Sequence, residues 1–463
     1  MVGLGAFAML SCPHYQRLCM NAAAKSTPAP ASAPMTRLGI MMFLEFFVWG
    51  AWAVPMGKYL ATVFSADRSK PAIDMIIGQA YGTSSIAAII APLFVGLIAD
   101  RFLPGQTVLG VLHLLGAALL YAVSQATDPV SFYWLLLASG LCYMPTLALV
   151  NSVSFDQLSE PQKQFPLVRV WGTIGWIAAG ITVGSLLPRL MAGGLPAGID
   201  SLLLGDAAGT DAGKTNLPFL VAAASSVILG LYCFTLPNSP PKGKGEPVSM
   251  AKLLGLDAVG LMKSPAFGIF AAASFLICIP LAVYYSKANE YISAMNIQEM
   301  LGLGSETVMT FGQMSEIGFM LLMPLFLARY GVKTMLLGGM LAWVARYVLF
   351  AFGADSAWML LAAVLLHGIC YDFFFVTGQL YTDHVAPKSL RASAQGLIAL
   401  LTYGAGMYVG NVVFPLVAGG LATTDEYPWK PFWLTFAVAA AVVMVGFAVA
   451  FRDPVKLGKQ EIT

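Results

Sequence analysis

Long apolar runs in this chain are interrupted by ionisable side chains at Glu45, Arg169, Lys287, Glu316, Arg346, His367 and Asp372. Each costs at least ~2.5–3.5 kcal/mol at bilayer depth, so each needs a partner, a wet cavity or a task. A carboxyl that is neutral in an apolar setting and charged beside a guanidinium can bind and release a proton as its surroundings alternate. Glu316 and Asp372 are candidates for that work, and Glu45 is a further one.

Helical spacing gathers these residues into stripes. Arg169, Thr173 and Trp176 stand at i, i+4 and i+7, and Gln313 and Glu316 at i and i+3. His367 and Tyr371 stand at i and i+4, with Asp372 adjacent and the run Phe373-Phe374-Phe375 after it. Glu45, Trp49 and Trp52 make a fourth stripe. Amides and acids that read edges, beside rings that stack, suit a flat hydrogen-bonding ligand with hydroxyls. Structural readings stand beside these: Arg169 as a cytoplasmic-end charge that snorkels, Thr173 and Trp176 as packing, and Gln313 with Glu316 as an interhelical hydrogen bond or ion pair. His367 and Asp372 have structural readings too, Glu45 could pair with Arg169 or Lys287, and Arg346 beside Trp343 reads as structural. Met and Phe elsewhere read as lipid-facing filler.

The elements that must hold these residues are membrane helices. Of 463 residues, 58% are hydrophobic and 10% charged, and mean hydropathy is +0.76; a soluble surface needs roughly 25% charge. A span takes roughly twenty apolar residues. On that ruler the spans fall near 38–64, 73–99, 106–124, 131–157, 166–190 and 217–236, then 265–294, 303–328, 333–352, 357–383, 390–419 and 430–452. The Pro- and Lys-containing break at 237–264 is a cytoplasmic linker between a bundle at 36–236 and another at 265–452. Residues 1–35, with an Ala/Ser/Pro-rich tract, read as a disordered or artefactual tail, and 453–463 as a cytoplasmic tail.

Of the 25 Lys and Arg, only Lys58, Arg68, Lys70, Arg189, Lys214 and Lys430 fall on the outer side, with Lys287 and Arg346 inside spans. The remainder cluster at the other face, which places both termini in the cytoplasm. The net charge of +2 comes with no basic tract for nucleic acid. Four of the six Cys fall inside apolar segments and no C-x-x-C occurs, so neither a disulfide framework nor a metal site is expected. No cofactor is implied. A clustered nucleophile–base set is absent from the motifs, as is a soluble output domain, which argues against an enzyme and against a receptor.

An internal repeat divides the chain in two. Pro92-Leu93-Phe94 leads into Gly96 to Arg101, and Pro324-Leu325-Phe326 into Ala328 to Lys333; Arg169 and Arg391 then open spans five and eleven. The loop Gly96-x-x-x-Asp100-Arg101 resembles the signature of the major facilitator superfamily. The resemblance implies an all-α membrane protein of twelve transmembrane helices in two six-helix pseudo-repeats, with Gly96, Asp100 and Arg101 as a conformational latch.

A narrower resemblance, to the nucleoside:proton symporter family, rests on ordered segments from span four to span eleven. They include Tyr143-Met144-Pro145-Thr146-Leu147, Arg169-x-Trp171-Gly172-Thr173-Ile174-Gly175, Ser315-Glu316, Arg329-Tyr330-Gly331, Asp372-Phe373-Phe374 and Arg391-Ala392-Ser393-Ala394-Gln395-Gly396. It implies uptake of a nucleoside-like solute with protons across a bacterial inner membrane, by a chain expected to act as a monomer. The family's ligand positions fall on Arg169, Thr173, Gln313, Glu316 and Asp372, which match in type. Trp176 and Tyr371 stand where the family commonly has Phe, and His367 where it has Tyr. Ala282 and Tyr285 replace ligand-holding amides, and Glu45 replaces a Gln. These departures leave open another polar cargo: a modified nucleoside, sugar, nucleobase or cell-wall fragment.

Overall fold

A computed structural model describes residues 33–66, 68–94, 102–191, 211–241, 254, 256–421 and 427–452. Among them, apolar helices follow one another as the hydropathy demands. The first, α1 (Ala33–Ala53), breaks at Val54-Pro55 and continues as Met56–Val63. Next come α2 (Lys70–Phe94), α3 (Gly105–Ser124), α4 (Pro129–Gln157), α5 (Pro161–Ile181, prolonged through Met191) and α6 (Leu217–Cys233). The second set opens with α7 (Pro265–Ala294). The long helix Ser305–Phe352 then divides at Gly331, whose φ of 76° and ψ of 172° cannot continue a helix, into α8 (305–330) and α9 (332–352). It closes with α10 (Ala357–Cys370, prolonged through Val385), α11 (Arg391–Ala399, prolonged through Leu421) and α12 (Trp429–Ala450).

These twelve helices agree with the expected spans, with instructive differences. Span five begins at Pro161, because proline is tolerated in a first helical turn. Arg169 therefore sits two turns inside α5 and does not open it. α8 and α9 meet at a single residue, where the sequence pattern suggested a short loop. Part of the expected linker is a 3-10 helix, Leu256–Lys263, packed against the start of α11. Gly96, Asp100 and Arg101 lie outside the described residues, as do most of the two tails.

Asp128 starts α4 by accepting the backbone N–H groups of Ser131 and Val130 at 2.9 and 3.0 Å. Those bonds, the Ser131 one foremost, hold its carboxyl below the ordinary carboxylate range. In the first half α1 packs on α5 and α6, and α3 on α4 and α6; in the second, α10 and α12 flank the α8–α9 rod and α7 meets α11 and α12. The halves touch where α2 meets α11, α5 meets α8, and the outer part of α1 meets α7.

Several methionines are interior packing and not lipid-facing filler: Met41, Met42, Met56 and Met340 have no exposed surface. The side chains that do face outward are scattered, such as Trp134, Leu325, Trp358 and Val449, as a lipid-facing surface permits. Close approach of α1 and α5 depends on Gly175, because a Cβ there would strike the carbonyl oxygen of Phe43. Gly175→Ala overpacks this contact at a typical cost of about 1–3 kcal/mol. It should lower the melting temperature of the purified protein, as read by a thermal unfolding scan in detergent.

Candidate substrate and proton site

α10 leaves regular geometry where the chemistry concentrates. Residues Tyr371–Val376 form a π-helical stretch, a distortion frequent at functional sites because it re-aims side chains without ending the helix. Asp372 lies in it with no exposed surface, and neither carboxylate oxygen has a hydrogen-bond donor in reach. Tyr371 is hydrogen-bonded through its hydroxyl to that of Tyr403 at 3.2 Å, and Tyr403 itself lies in a π-helical stretch of α11, Leu400–Gly406.

Glu316 of α8 faces this group. Its Oε2 stands 3.9 Å from His367 Nε2, and its charge is felt by Asp372, Tyr371 and Tyr403. It is also felt by Arg169 of α5, in the opposite half. Arg169 is 4% exposed, its guanidinium lies 4.0 Å from the centre of the Phe46 ring, and Nη1 has no partner. It is a buried cation at the seam, not a snorkelling charge at a helix end. Thr173 is buried beside it, and Trp176 packs edge-on against Trp49 at 5.4 Å. Gln313 is half-buried one turn from Glu316.

The structure thus brings Arg169, Glu316, His367, Tyr371 and Asp372 into one connected group across the two halves, with Thr173, Trp176 and Gln313 on the same helices. Glu45 does not join it. That acid is fully buried inside the first half, paired with His113 and not with Arg169 or Lys287.

Residues that the stripes did not single out complete the wall. The Tyr284 ring stacks on His367 at 5.7 Å with 19° between planes, and Arg346 lies 4.0 Å over the Tyr284 ring while donating to the Ala363 carbonyl. Tyr285 stands edge-on to His367. Ala282 packs against Gly410 with no exposed surface, so it offers nothing to a ligand. The aromatic content of α7 was legible; which ring faces inward was not.

A second feature is electrostatic and lies where α1 and α7 end and α2 and α8 begin. Lys287 of α7 binds Asp74 of α2 at 2.8 Å and Glu290 at 2.6 Å, with its ammonium 4.6 Å from the Tyr427 ring centre. Lys58 at the end of α1 binds Glu306 at the start of α8 at 2.5 Å and Asp211 at 2.8 Å. Both lysines are buried; sequence position had set Lys58 on the outer side and Lys287 inside a span. Ser185 and Thr307 hydrogen-bond across the same seam at 2.8 Å, and a Cβ on Gly57 would strike the Ser286 carbonyl. This end of the molecule is sealed by pairs that join the halves.

A groove of ≈ 710 Å³ between α1 and α5, lined by Met35, Ile40, Phe43, Leu44, Leu167 and Trp171, is separate from this site. Trp171 points about half a turn away from the Arg169 stripe.

Two six-helix halves with buried acids and a cation at their seam, closed at one end, define a multi-pass membrane carrier of the major facilitator fold. The chain belongs to the nucleoside H+ symporter family, whose model matches residues 33–456. It is 39% identical to the putative nucleoside transporter YegT of Escherichia coli K12, covering 90% of this chain and 93% of that protein. It is 31% identical to the xanthosine permease of the same organism, covering 92% and 99%. The crystal structure of the nucleoside transporter NupG superposes with a TM-score of 0.76 at 29% identity, over 90% of this chain and 99% of that one. The D-xylose–proton symporter, at 12% identity and a TM-score of 0.66, shares the fold.

Removing one member of a buried ion pair leaves the other uncompensated, at about 3–5 kcal/mol. Lys287→Met should therefore unseal the paired end. In a background without other cysteines, a Cys at Ser286 should react faster with a polar maleimide when Lys287 is replaced than when it is present.

Proposed function

We propose that this carrier takes up nucleosides together with protons by alternating access at the seam between its halves. The observation that carries the reading is a buried acid of one half, Glu316, within electrostatic reach of a buried guanidinium of the other, Arg169, and of the donorless carboxyl of Asp372. The names of the relatives, a putative nucleoside transporter and a xanthosine permease, supply the substrate class.

An ionised carboxylate in an apolar interior is costly without donors. Asp372, which has none, is the group that holds a proton in the sealed conformation. Glu316 has two charged neighbours within electrostatic reach, the guanidinium of Arg169 and the carboxyl of Asp372, and two like charges cannot share a buried site cheaply. A nucleoside that engages Arg169 with its ribose hydroxyls or base edge competes for that guanidinium, so substrate and proton occupancy become linked. Gln313 supplies further hydrogen bonds, Thr173 a hydroxyl, and Trp176, Tyr371 and His367 ring faces for the base. Tyr285 presents a phenol from α7 where an amide would read the base differently, which favours a modified nucleoside or another flat polar cargo as the second reading.

The excess of Lys and Arg on one face supports a topology with both termini in the cytoplasm and the sealed end outside, in what we read as a bacterial inner membrane. Opening that end breaks the Lys58–Glu306 and Lys287–Asp74 pairs, and closing it remakes them. The Gly96, Asp100 and Arg101 loop is the latch at the cytoplasmic end, 237–264 ties the two bundles, and the chain works as a monomer. A membrane potential adds ~2.3 kcal/mol per translocated charge per 100 mV.

Uptake of radiolabelled uridine into vesicles, with and without an imposed inward pH gradient, tests the reading. The wild type should accumulate label only with the gradient. Glu316→Gln and Asp372→Asn should each abolish accumulation above equilibrium. Wild-type accumulation by both variants would overturn the assignment of these carboxyls, and gradient-independent uptake would overturn proton coupling itself.

A further inference from the structure

Inside the first half, on helices other than those that carry Glu316 and Asp372, a second acid–base pair is fully enclosed. Glu45 of α1 is 0% exposed and His113 of α3 is 2% exposed, with Nε2 2.8 Å from Glu45 Oε2. The other carboxylate oxygen accepts the Thr146 hydroxyl of α4 at 2.6 Å, and the Glu45 carbonyl accepts the Tyr143 hydroxyl at 2.7 Å. On the far side of the imidazole, Ser226 of α6 places Oγ 3.1 Å from His113 Nδ1 and 2.9 Å from the carbonyl oxygen of His113.

That hydroxyl has one hydrogen and two places to put it. When it donates to Nδ1, the imidazole is neutral and carries its only hydrogen on Nε2, donated to Glu45. When it donates to the His113 carbonyl, its lone pair receives a hydrogen from Nδ1, and the ring is an imidazolium. Every polar atom named here is satisfied in both arrangements, and no heavy atom moves between them. A buried histidine is penalised in any protonation state that orphans a donor or sets two hydrogens face to face.

We propose that Glu45 and His113 form a second proton-binding site, in the first half of the carrier, which gains or loses one proton on His113 as the Ser226 hydroxyl turns. The gain takes the pair from a net charge of −1 to zero. The titratable and charged groups facing it are Tyr143 of α4, Arg169 of α5 and Cys233 of α6, and Arg169 is the cation among them. With His113 neutral, the Glu45 charge is available to Arg169; with His113 protonated, that charge is matched locally and Arg169 turns to Glu316 and the substrate. The two halves thereby compete for one guanidinium, and a proton bound in one half changes proton and ligand affinity in the other. This rests on the carrier reading for its consequence, but not for the titration itself.

The full chain has four histidines, at positions 14, 113, 367 and 384, so ¹⁵N-histidine spectra of the native protein in lipid resolve His113 once it is assigned with His113→Asn. The ring should pass from one protonated nitrogen to two as the sample is taken from alkaline to acidic pH. Glu45→Gln removes the facing negative charge and should move that transition to lower pH. The pH profile of uridine uptake should move with it, where a purely structural change would only scale the amplitude. A His113 ring that stays in one form across the range, in protein of native fold, overturns the proposal. So does a Glu45→Gln profile unshifted in both readouts. The spectra need no transport, so an absence of uridine uptake would sink the substrate assignment and leave the titration standing.

Discussion

A charge without a partner in an apolar interior is so costly that the positions of the partners organise this molecule. Lys58, Lys287 and Glu45 each have theirs at hydrogen-bonding distance. Arg169 and Asp372 keep buried polar atoms without a partner, and Glu316, 3.9 Å from His367, is within electrostatic reach of Arg169 across the seam and of Asp372 in its own half. This contrast separates groups whose charge is matched by a neighbour from groups whose hydrogen-bonding capacity is left unmet. The ion pairs that join the halves, Lys58–Glu306 and Lys287–Asp74, lie together at one end of the seam.

Those pairs have a physical logic of their own. Buried ion pairs add little net stability over apolar packing, but they are strongly registered: a lysine without its acid is far worse than a lysine with it. Pairs that span two rigid bundles therefore favour one sealed arrangement and penalise partly open ones. The glycines at the same seam, Gly57, Gly78 and Gly184, let backbones approach until a Cβ would strike a carbonyl or amide of the other half. Together these give a tight end and a polar middle, which is the asymmetry a rocking carrier needs.

Helix irregularities sit where the polar residues do. The π-helical stretches of α10 and α11 carry Tyr371, Asp372 and Tyr403 and bring two phenol hydroxyls together. A third, Thr182–Leu186, lies where α5 meets α8. An ideal helix would turn successive side chains by a fixed angle; an inserted residue lets Tyr371 and Asp372 both stay buried, against different neighbours.

Hydropathy and punctuation alone determined the number of spans, the division into two halves and the residues with no right to be in a membrane. The reason is that bilayer thickness and the cost of charge act on each segment independently of its neighbours. The stripes on α5, α8 and α10 were legible too, because helical spacing is local. Partner choice was not. Glu45 found His113 on α3, a lone histidine in an apolar span that spacing gave no reason to single out, and Lys58 proved to be buried against Asp211 and Glu306. Ala282 packed against Gly410 of α11 while Tyr285 stood edge-on to His367. Those outcomes depend on which helix packs beside which and at what depth, and contacts between residues tens to hundreds of positions apart exist only once the bundle has formed.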